Sequence, residues 1–166
     1  MKRIIGIDPG LLHTGWAVIE SVGSDRRYVA SGVVLPPAKL PLADRLSFIF
    51  ENIGQICDLW QPNECAIEIT FVNKNPTTTL LLGHARAAAI VAVGTRKIPV
   101  FEYEPNLIKK TITGAGHADK DQIYKMLKIL LPQAFVIAAN AATKTSDESD
   151  ALAIALAHSN TNRFRV

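Results

Sequence analysis

Apolar residues follow two different rhythms along this chain, and the switches between them mark out its elements. "RIIGID", "TGWAVIES" and "RYVASGVV" place β-branched and aromatic residues between Gly, Ser and Asp breakers, which predicts three strands in an antiparallel meander. After "LPPAKLP" the period lengthens. Leu42, Leu46, Ile49, Ile53 and Ile56 recur at helical spacing ahead of Pro62, so "LADRLSFIFENIGQICDLW" reads as a helix crossing to the next strand, "CAIEITFV". That strand is apolar at Ala66, Ile67 and Ile69, as a central buried strand is, with Glu68 embedded in it.

"NPTTTLLLGHARAAAIVAVG" predicts a long helix, with Asn75 as N-cap, Pro76 at the first helical position and Gly94 beyond the end. "IPVFEYEP" reads as a fifth strand, and "NLIKKTI" as a short amphipathic turn or helix leading into "TGAGHAD". In "DKDQIYKMLKILLP" the residues Ile123, Met126, Leu127 and Leu130 form an inward stripe that Pro132 ends. "TSDESDALAIALAHSN" opens with Thr145 and Glu148 at capping-box spacing, and its body is apolar nearly all round. The expected order is β-β-β-α-β-α-β-α-α: an α/β protein with a mixed five-stranded sheet flanked by helices.

Composition narrows this picture little. A chain of 166 residues fits one domain spanning 1–166, and 48% hydrophobic with 20% charged residues argues against both disorder and a fibrous repeat. The apolar runs fall short of the roughly 20 residues needed to cross a bilayer, and no signal-peptide pattern opens the chain. No membrane association and a cytoplasmic location are therefore expected. Cys57 and Cys65 lack metal-site or CxxC spacing and read as buried thiols. His13, His84, His117 and His158 read as surface residues, with Trp16 in the core.

Charge changes the picture more. Asp8 ends the first strand, Glu68 lies in the fourth, and Asp147 and Asp150 stand three apart at the start of the last helix. Each has a plain structural use: an acid favours a helix N-terminus, and an Asp before Pro-Gly makes an Asx turn. Glu68 has the weakest such case, because no basic residue follows it until Lys74. Clustered carboxylates repel one another unless cations hold them ionised, and oxygen-only ligation suits Mg²⁺ or Mn²⁺. Two such ions about 4 Å apart point to phosphoryl chemistry.

Setting those four acids aside leaves 18 basic against 11 acidic residues, a balance of +7 where the whole chain has +3. Lys74, Lys109, Lys110, Lys120 and Arg86 lie near the acid-bearing segments and are candidate phosphate contacts, as are the backbone amides of "TGAGHAD". His117 joins them by neighbourhood. Lys125 and Lys128 read as solvated helix faces. No GxxxxGK phosphate loop occurs.

Five ordered blocks, "GIDPGLLHTGWAVI", "AIEITFVNKNP", "LLLGHARAAAI", "VFEYEPNLIKKTITGAGHADKDQI" and "SDESDALAIALAH", resemble the RuvC family of Holliday-junction resolvases over nearly the whole chain. The resemblance implies an RNase H-like fold and a homodimer that resolves four-way DNA junctions by paired symmetric nicks in recombination and repair. It implies Mg²⁺ as cofactor, two ions per subunit with Mn²⁺ able to substitute, and 5′-phosphate and 3′-hydroxyl ends. It further implies a branch-migration helicase complex of the RuvA and RuvB type as partner. The family's acidic site falls on Asp8, Glu68, Asp147 and Asp150, and its basic catalytic positions fall on Lys109 and Lys120, with Lys110 adjacent to the first. Phe71 takes the aromatic position that stacks on an unpaired base, or else packs at the strand end. Ile69, His13 and Trp16 depart from the family's common residues. The small residues of the helix from about Asn75 to Val93 suit a partner helix at the dimer interface, or equally a packed core.

Two other functions fit parts of the sequence. "DPGLLHTGW" is compatible with the phosphate turn of actin-like and sugar-kinase ATPases, but the chain has no room for their second domain. A non-catalytic junction binder would leave all four acids structural, which their number and placement disfavour.

Overall fold

Strand alternation and helical stripes resolve into one sheet covered on both faces. A computed structural model of the chain describes residues 1–70, 75–136 and 145–161. The strands β1 (Lys2–Asp8), β2 (Thr14–Val22) and β3 (Asp25–Val34) form the expected meander, with β1 antiparallel to β2 and β2 to β3. Helix α1 (Leu42–Trp60) then crosses over to β4 (Glu64–Glu68), which lies parallel to β1 with Ile7 opposite Ile67. Helix α2 (Pro76–Gly94) crosses to β5 (Val100–Tyr103), parallel to β4. The strand order is β3-β2-β1-β4-β5. Helices α3 (Pro105–Thr113), α4 (Lys120–Leu130), α5 (Gln133–Val136) and α6 (Ser146–Asn160) follow.

The period of two divides the core. Ile5 and Ile7 of β1, Val18 of β2, and Cys65 and Ile67 of β4 face α1 and α2. Ile4, Ala17, Ile19, Ala66, Phe101 and Tyr103 face α6, whose residues from Ala151 to Ala157 are all buried. Burial of each large aliphatic side chain there contributes about 1.5–3 kcal/mol. Helix α6 lies unusually close to the sheet because two positions beneath it lack side chains. A Cβ on Gly6 would stand 2.3 Å from the Ala151 carbonyl oxygen, and one on Gly15 would stand 2.2 Å from that of Asp147.

Several expectations need correcting. Glu68 closes β4 rather than lying inside a longer strand, although the Ile69 amide still donates to the Tyr103 carbonyl at 2.8 Å. "NLIKKTI", expected as a short amphipathic turn or helix, is a helix, begun by Pro105 and stopped by Gly114 in a left-handed conformation. The four-residue α5 was too short to leave a periodic signal. His158 is buried, not superficial: Tyr103 and Glu64 enclose it, with Oη to Nδ1 at 2.6 Å and Nε2 to Oε2 at 3.0 Å. Lys2 reaches the other Glu64 oxygen at 2.9 Å.

Both cysteines are free and buried, and burial pushes the Cys57 thiol up to about 11, so it holds its proton at neutral pH. By length and a mean hydropathy of 1.3 the helix α2 would suffice to cross a bilayer, which the shorter apolar runs had not suggested. Here it packs on α1, and Arg86 ties it to the sheet through the Glu68 carbonyl and an ion pair with Glu102. Its small residues Ala85, Ala89 and Ala92 are buried within this fold. The face left open carries Leu80, Gly83, His84, Ala87 and Val91.

Candidate active site

Residue parity brings the four acids to one end of the molecule. On β1, Asp8 is in phase with Ile4 and Gly6, so it turns toward α6. On β4, Glu68 is in phase with Ala66 and points the same way. The two stand level, one step beyond the Ile7–Ile67 pair of parallel neighbours. Asp147 and Asp150 come from the other side, on the first turns of α6. That helix starts where it does because the Thr145 hydroxyl accepts from the Glu148 amide at 3.3 Å while the Glu148 carboxylate accepts from the Thr145 amide at 3.1 Å. Gly15, paired with Asp8 across β1 and β2, lets the Asp147 backbone come down onto the sheet.

The cost of this crowding is visible in protonation. The Asp8 carboxyl is pushed up to about 7, first by burial and then by Asp150, Glu68 and Asp147, with Lys120 opposing. Glu68 is raised by burial and Asp150, while Lys109 and Lys120 pull it back. Asp150 holds the Lys120 ammonium above its ordinary range and accepts from its Nζ at 3.2 Å. Lys120 begins α4 and is largely exposed; Lys109 on α3 is half-buried and acts on Glu68, whereas Lys110 is exposed. Lys109 is thus the member of its pair turned toward the acids. His117 is exposed in the segment leading to α4. Phe71 and Lys74 lie outside the described residues.

The chemistry of this donor set fits hard divalent cations: carboxylate oxygens, burial and mutual repulsion that together raise Asp8 to about 7, and few compensating bases. Among the described residues, no three His, Cys, Asp or Glu side chains as they stand are arranged to hold a metal ion. The acids are near enough to shift one another's charge without closing on one point.

His13 is exposed at its side chain, as a turn histidine is expected to be, and brings Nδ1 to 3.8 Å from Asp147 Oδ2. Other neighbours were not legible in the sequence. Arg45 of α1 donates from Nη2 to the Leu11 carbonyl at 2.8 Å and so braces the turn after Asp8. Thr14, fully buried, closes that turn by donating to the Gly10 carbonyl at 2.6 Å. Arg86, a candidate phosphate contact, is instead occupied by Glu102 and the Glu68 carbonyl. Nothing in local periodicity marks such long-range partners.

Comparison with known proteins follows the same residues. The family profile described as "Crossover junction endodeoxyribonuclease RuvC" matches residues 4–158. The protein of that name from Bradyrhizobium sp. (strain BTAi1) is 54% identical over 94% of this chain and 85% of its own length. The one from Methylobacterium radiotolerans is 51% identical over 94% of this chain and 72% of its own. Among solved structures, T. thermophilus RuvC in complex with Holliday junction substrate superposes with a TM-score of 0.86 at 28% identity, covering 96% of this chain and 94% of that one. The yeast mitochondrial Holliday junction resolvase Ydc2, at 14% identity and a TM-score of 0.71, shares the fold.

Proposed function

This chain belongs to the RuvC family of crossover junction endodeoxyribonucleases, and on that premise we propose how its residues resolve a four-way DNA junction. It is a structure-selective endonuclease of recombination and repair with an RNase H-like fold, and its activity depends on metal. The observation that carries the mechanism is the meeting of Asp8 and Glu68, from two parallel strands, with Asp147 and Asp150 from α6.

Asp8, Glu68, Asp147 and Asp150 would hold the cofactor. Bound there, two Mg²⁺ ions, or Mn²⁺ in their place, would supply an activated water on one side of the scissile phosphate and charge neutralisation on the other. Asp8 must lose its proton to take part, and a bound cation would favour that loss. Lys109 and Lys120 face the phosphate's growing negative charge, and preorganised cations of this kind act mainly on the transition state. Asp150 holds Lys120 in place until the phosphate arrives. The products carry 5′-phosphate and 3′-hydroxyl ends.

Paired symmetric nicks call for two sites related by a two-fold axis, hence a homodimer. The open stripe of α2, from Leu80 to Val91, is the apolar face that suits it. Lys74, Lys110 and His117 contact the DNA backbone, and Phe71 stacks on a base at the crossover. A branch-migration complex of the RuvA and RuvB type presents the junction. The whole chain, 1–166, works as one nuclease domain in the cytoplasm, where the chromosome lies.

The test is cleavage of a synthetic four-way junction against matched linear duplex, with Mg²⁺ and with chelator. Cutting only of the junction, only with Mg²⁺, and abolished by Glu68→Gln or Asp150→Asn while junction binding persists, is the expected result. Near-normal nicking by either variant sinks the assignment.

A further inference from the structure

The parallel ladder between β1 and β4 stops just short of the acids, its register ending at Ile7 opposite Ile67. On β4 the amides of Cys65 and Ile69 turn to β5, donating to the Pro99 carbonyl at 2.9 Å and the Tyr103 carbonyl at 2.8 Å, so by alternation the Glu68 carbonyl turns toward β1. The β1 amide that continued pairing would bring to it belongs to residue 9. Pro9 has no N–H to give. The strand ends part instead around a hollow of ≈ 250 Å³, lined in part by Asp8, Pro9, Glu68, Ile69 and Leu82. The missing donor comes from another layer. Arg86, on α2, donates from Nε to the Glu68 carbonyl at 3.0 Å, and its Nη2 is ion-paired with Glu102 on β5.

Both sides of the peptide group between Glu68 and Ile69 are thereby held, the carbonyl by Arg86 and the amide by Tyr103. A planar group fixed at both its polar atoms leaves the Glu68 backbone little freedom to turn, and that sets the direction in which its side chain departs. The direction matters at this residue. Asp150 repels the Glu68 carboxylate, and β4 ends here with no further strand to brace it. We propose that Arg86 is a positioning residue for the metal site, supplying the hydrogen bond that Pro9 cannot make and so keeping Glu68 level with Asp8. Its own bonds go to the Glu68 backbone and to Glu102, so it acts through Glu68 and not on metal or phosphate. Partners at this remove from a metal are typically worth about 10- to 100-fold in affinity or activity. The inference rests on the metal-site reading above and gives α2 a part in that site.

Arg86→Met and Arg86→Gln separate its two bonds. Both lose the ion pair with Glu102, but Gln carries an N–H donor on the same Cβ–Cγ–Cδ stem, where Arg has its Nε, and Met carries none. Binding of Mn²⁺ alone, read from the paramagnetic resonance signal of the free ion, should weaken roughly ten- to a hundred-fold in Arg86→Met. Arg86→Gln should regain most of that affinity. Glu102→Gln, which leaves the Nε donor in place, should bind Mn²⁺ nearly as the native protein does. Cleavage should follow the metal: Arg86→Met should need correspondingly more Mg²⁺ for its half-maximal single-turnover rate, with junction binding in chelator unchanged. Glu102 is 41% exposed at its side chain, so its ion pair contributes little stability and all three variants should fold by circular dichroism. Native-like Mn²⁺ binding by Arg86→Met, or an equal loss in all three variants, would reduce Arg86 to a strap between α2 and β5 and overturn the proposal. Should Arg86→Met fail to fold, a large loss of Mn²⁺ affinity in folded Arg86→Gln overturns it as surely, and near-native affinity there supports it. A native protein that binds no Mn²⁺ overturns the metal-site reading itself, a result distinct from native binding that Arg86→Met retains.

Discussion

Replacing Asp8 by asparagine should raise the stability of the metal-free protein while ending its catalysis. Burial and three neighbouring acids carry the Asp8 carboxyl from its ordinary 3.8 to about 7. The folded state therefore holds this proton more tightly than the unfolded chain does. Its contribution to stability is complete below about pH 4, declines through the interval up to about 7, and is gone above it. Three decades of proton affinity at about 1.4 kcal/mol each amount to roughly 4 kcal/mol of native-state stability lost between those limits. The asparagine side chain carries no charge, so the variant escapes most of that loss and relieves Glu68 of a repelling neighbour. For a chain of this length each kcal/mol moves Tm by about 2–4 °C, so at pH 8 with chelator the variant should melt roughly 10 °C above the native protein. At pH 4 the two should melt together. Mg²⁺ should raise the native Tm at pH 8 by more than that of the variant, which keeps only three of the four carboxylates. Thermal unfolding by circular dichroism across pH 4 to 8 reads all of this. A variant less stable than the native protein at pH 8, or a native Tm that does not fall as pH rises, would refute the account of the site as a strained cluster.

Other consequences can be checked as directly. Lys109→Ala and Lys120→Ala should slow single-turnover cleavage more than they weaken junction binding, whereas Lys125→Ala should change neither beyond a small shift in salt dependence; equal small effects on all three would return them to solvated surface. Gly6→Ala places a methyl against the Ala151 carbonyl and the Ala155 backbone, so α6 must lift and denaturant unfolding should show a loss of about 1–3 kcal/mol or more; an unchanged midpoint would disprove the close seating of the helix. Val91→Glu, at a position 52% exposed, should give a folded monomer that nicks junctions poorly. Ala85→Glu should instead unfold the protein, because Ala85 is wholly buried. Sedimentation and circular dichroism separate the two.

What could be read in advance follows from how far each signal reaches along the chain. The strands, the long helices and the capping box at Thr145 rest on contacts within a turn or on alternation, and each is present, with β4 ending at Glu68 and α2 taking in Gly94. The acids were legible for a related reason: a charge that breaks an apolar pattern is noticed against it, as Asp8 is after Ile4, Ile5 and Ile7. Arg45 breaks no pattern, since an arginine on an amphipathic helix is ordinary, and the Leu11 carbonyl it serves is 34 residues away. His158 sits 94 residues from Glu64 and 55 from Tyr103, so its burial depended on the sheet order, which the sequence could only suggest. The alanines of α2 fitted either a partner helix or the core, and the register against α1 decides for the core.

Helix α6 can also be seen as a cantilever. Its first turn carries Asp147 and Asp150 into a region where like charges push against it, held there by the Ser31 hydroxyl donating to Glu148 at 2.8 Å, and over 15 residues, about 22 Å at 1.5 Å per residue, its far end is anchored at His158 between Tyr103 and Glu64. Between the two ends, Gly6 lets the beam rest at one point directly on sheet backbone, at the Ala151 carbonyl and Ala155. The load at the tip is therefore shared with the root. Weakening the anchor, by His158→Leu for instance, should widen the spacing of carboxylates that lie at the opposite end of the sheet, so that a residue far from the DNA sets how well the site closes.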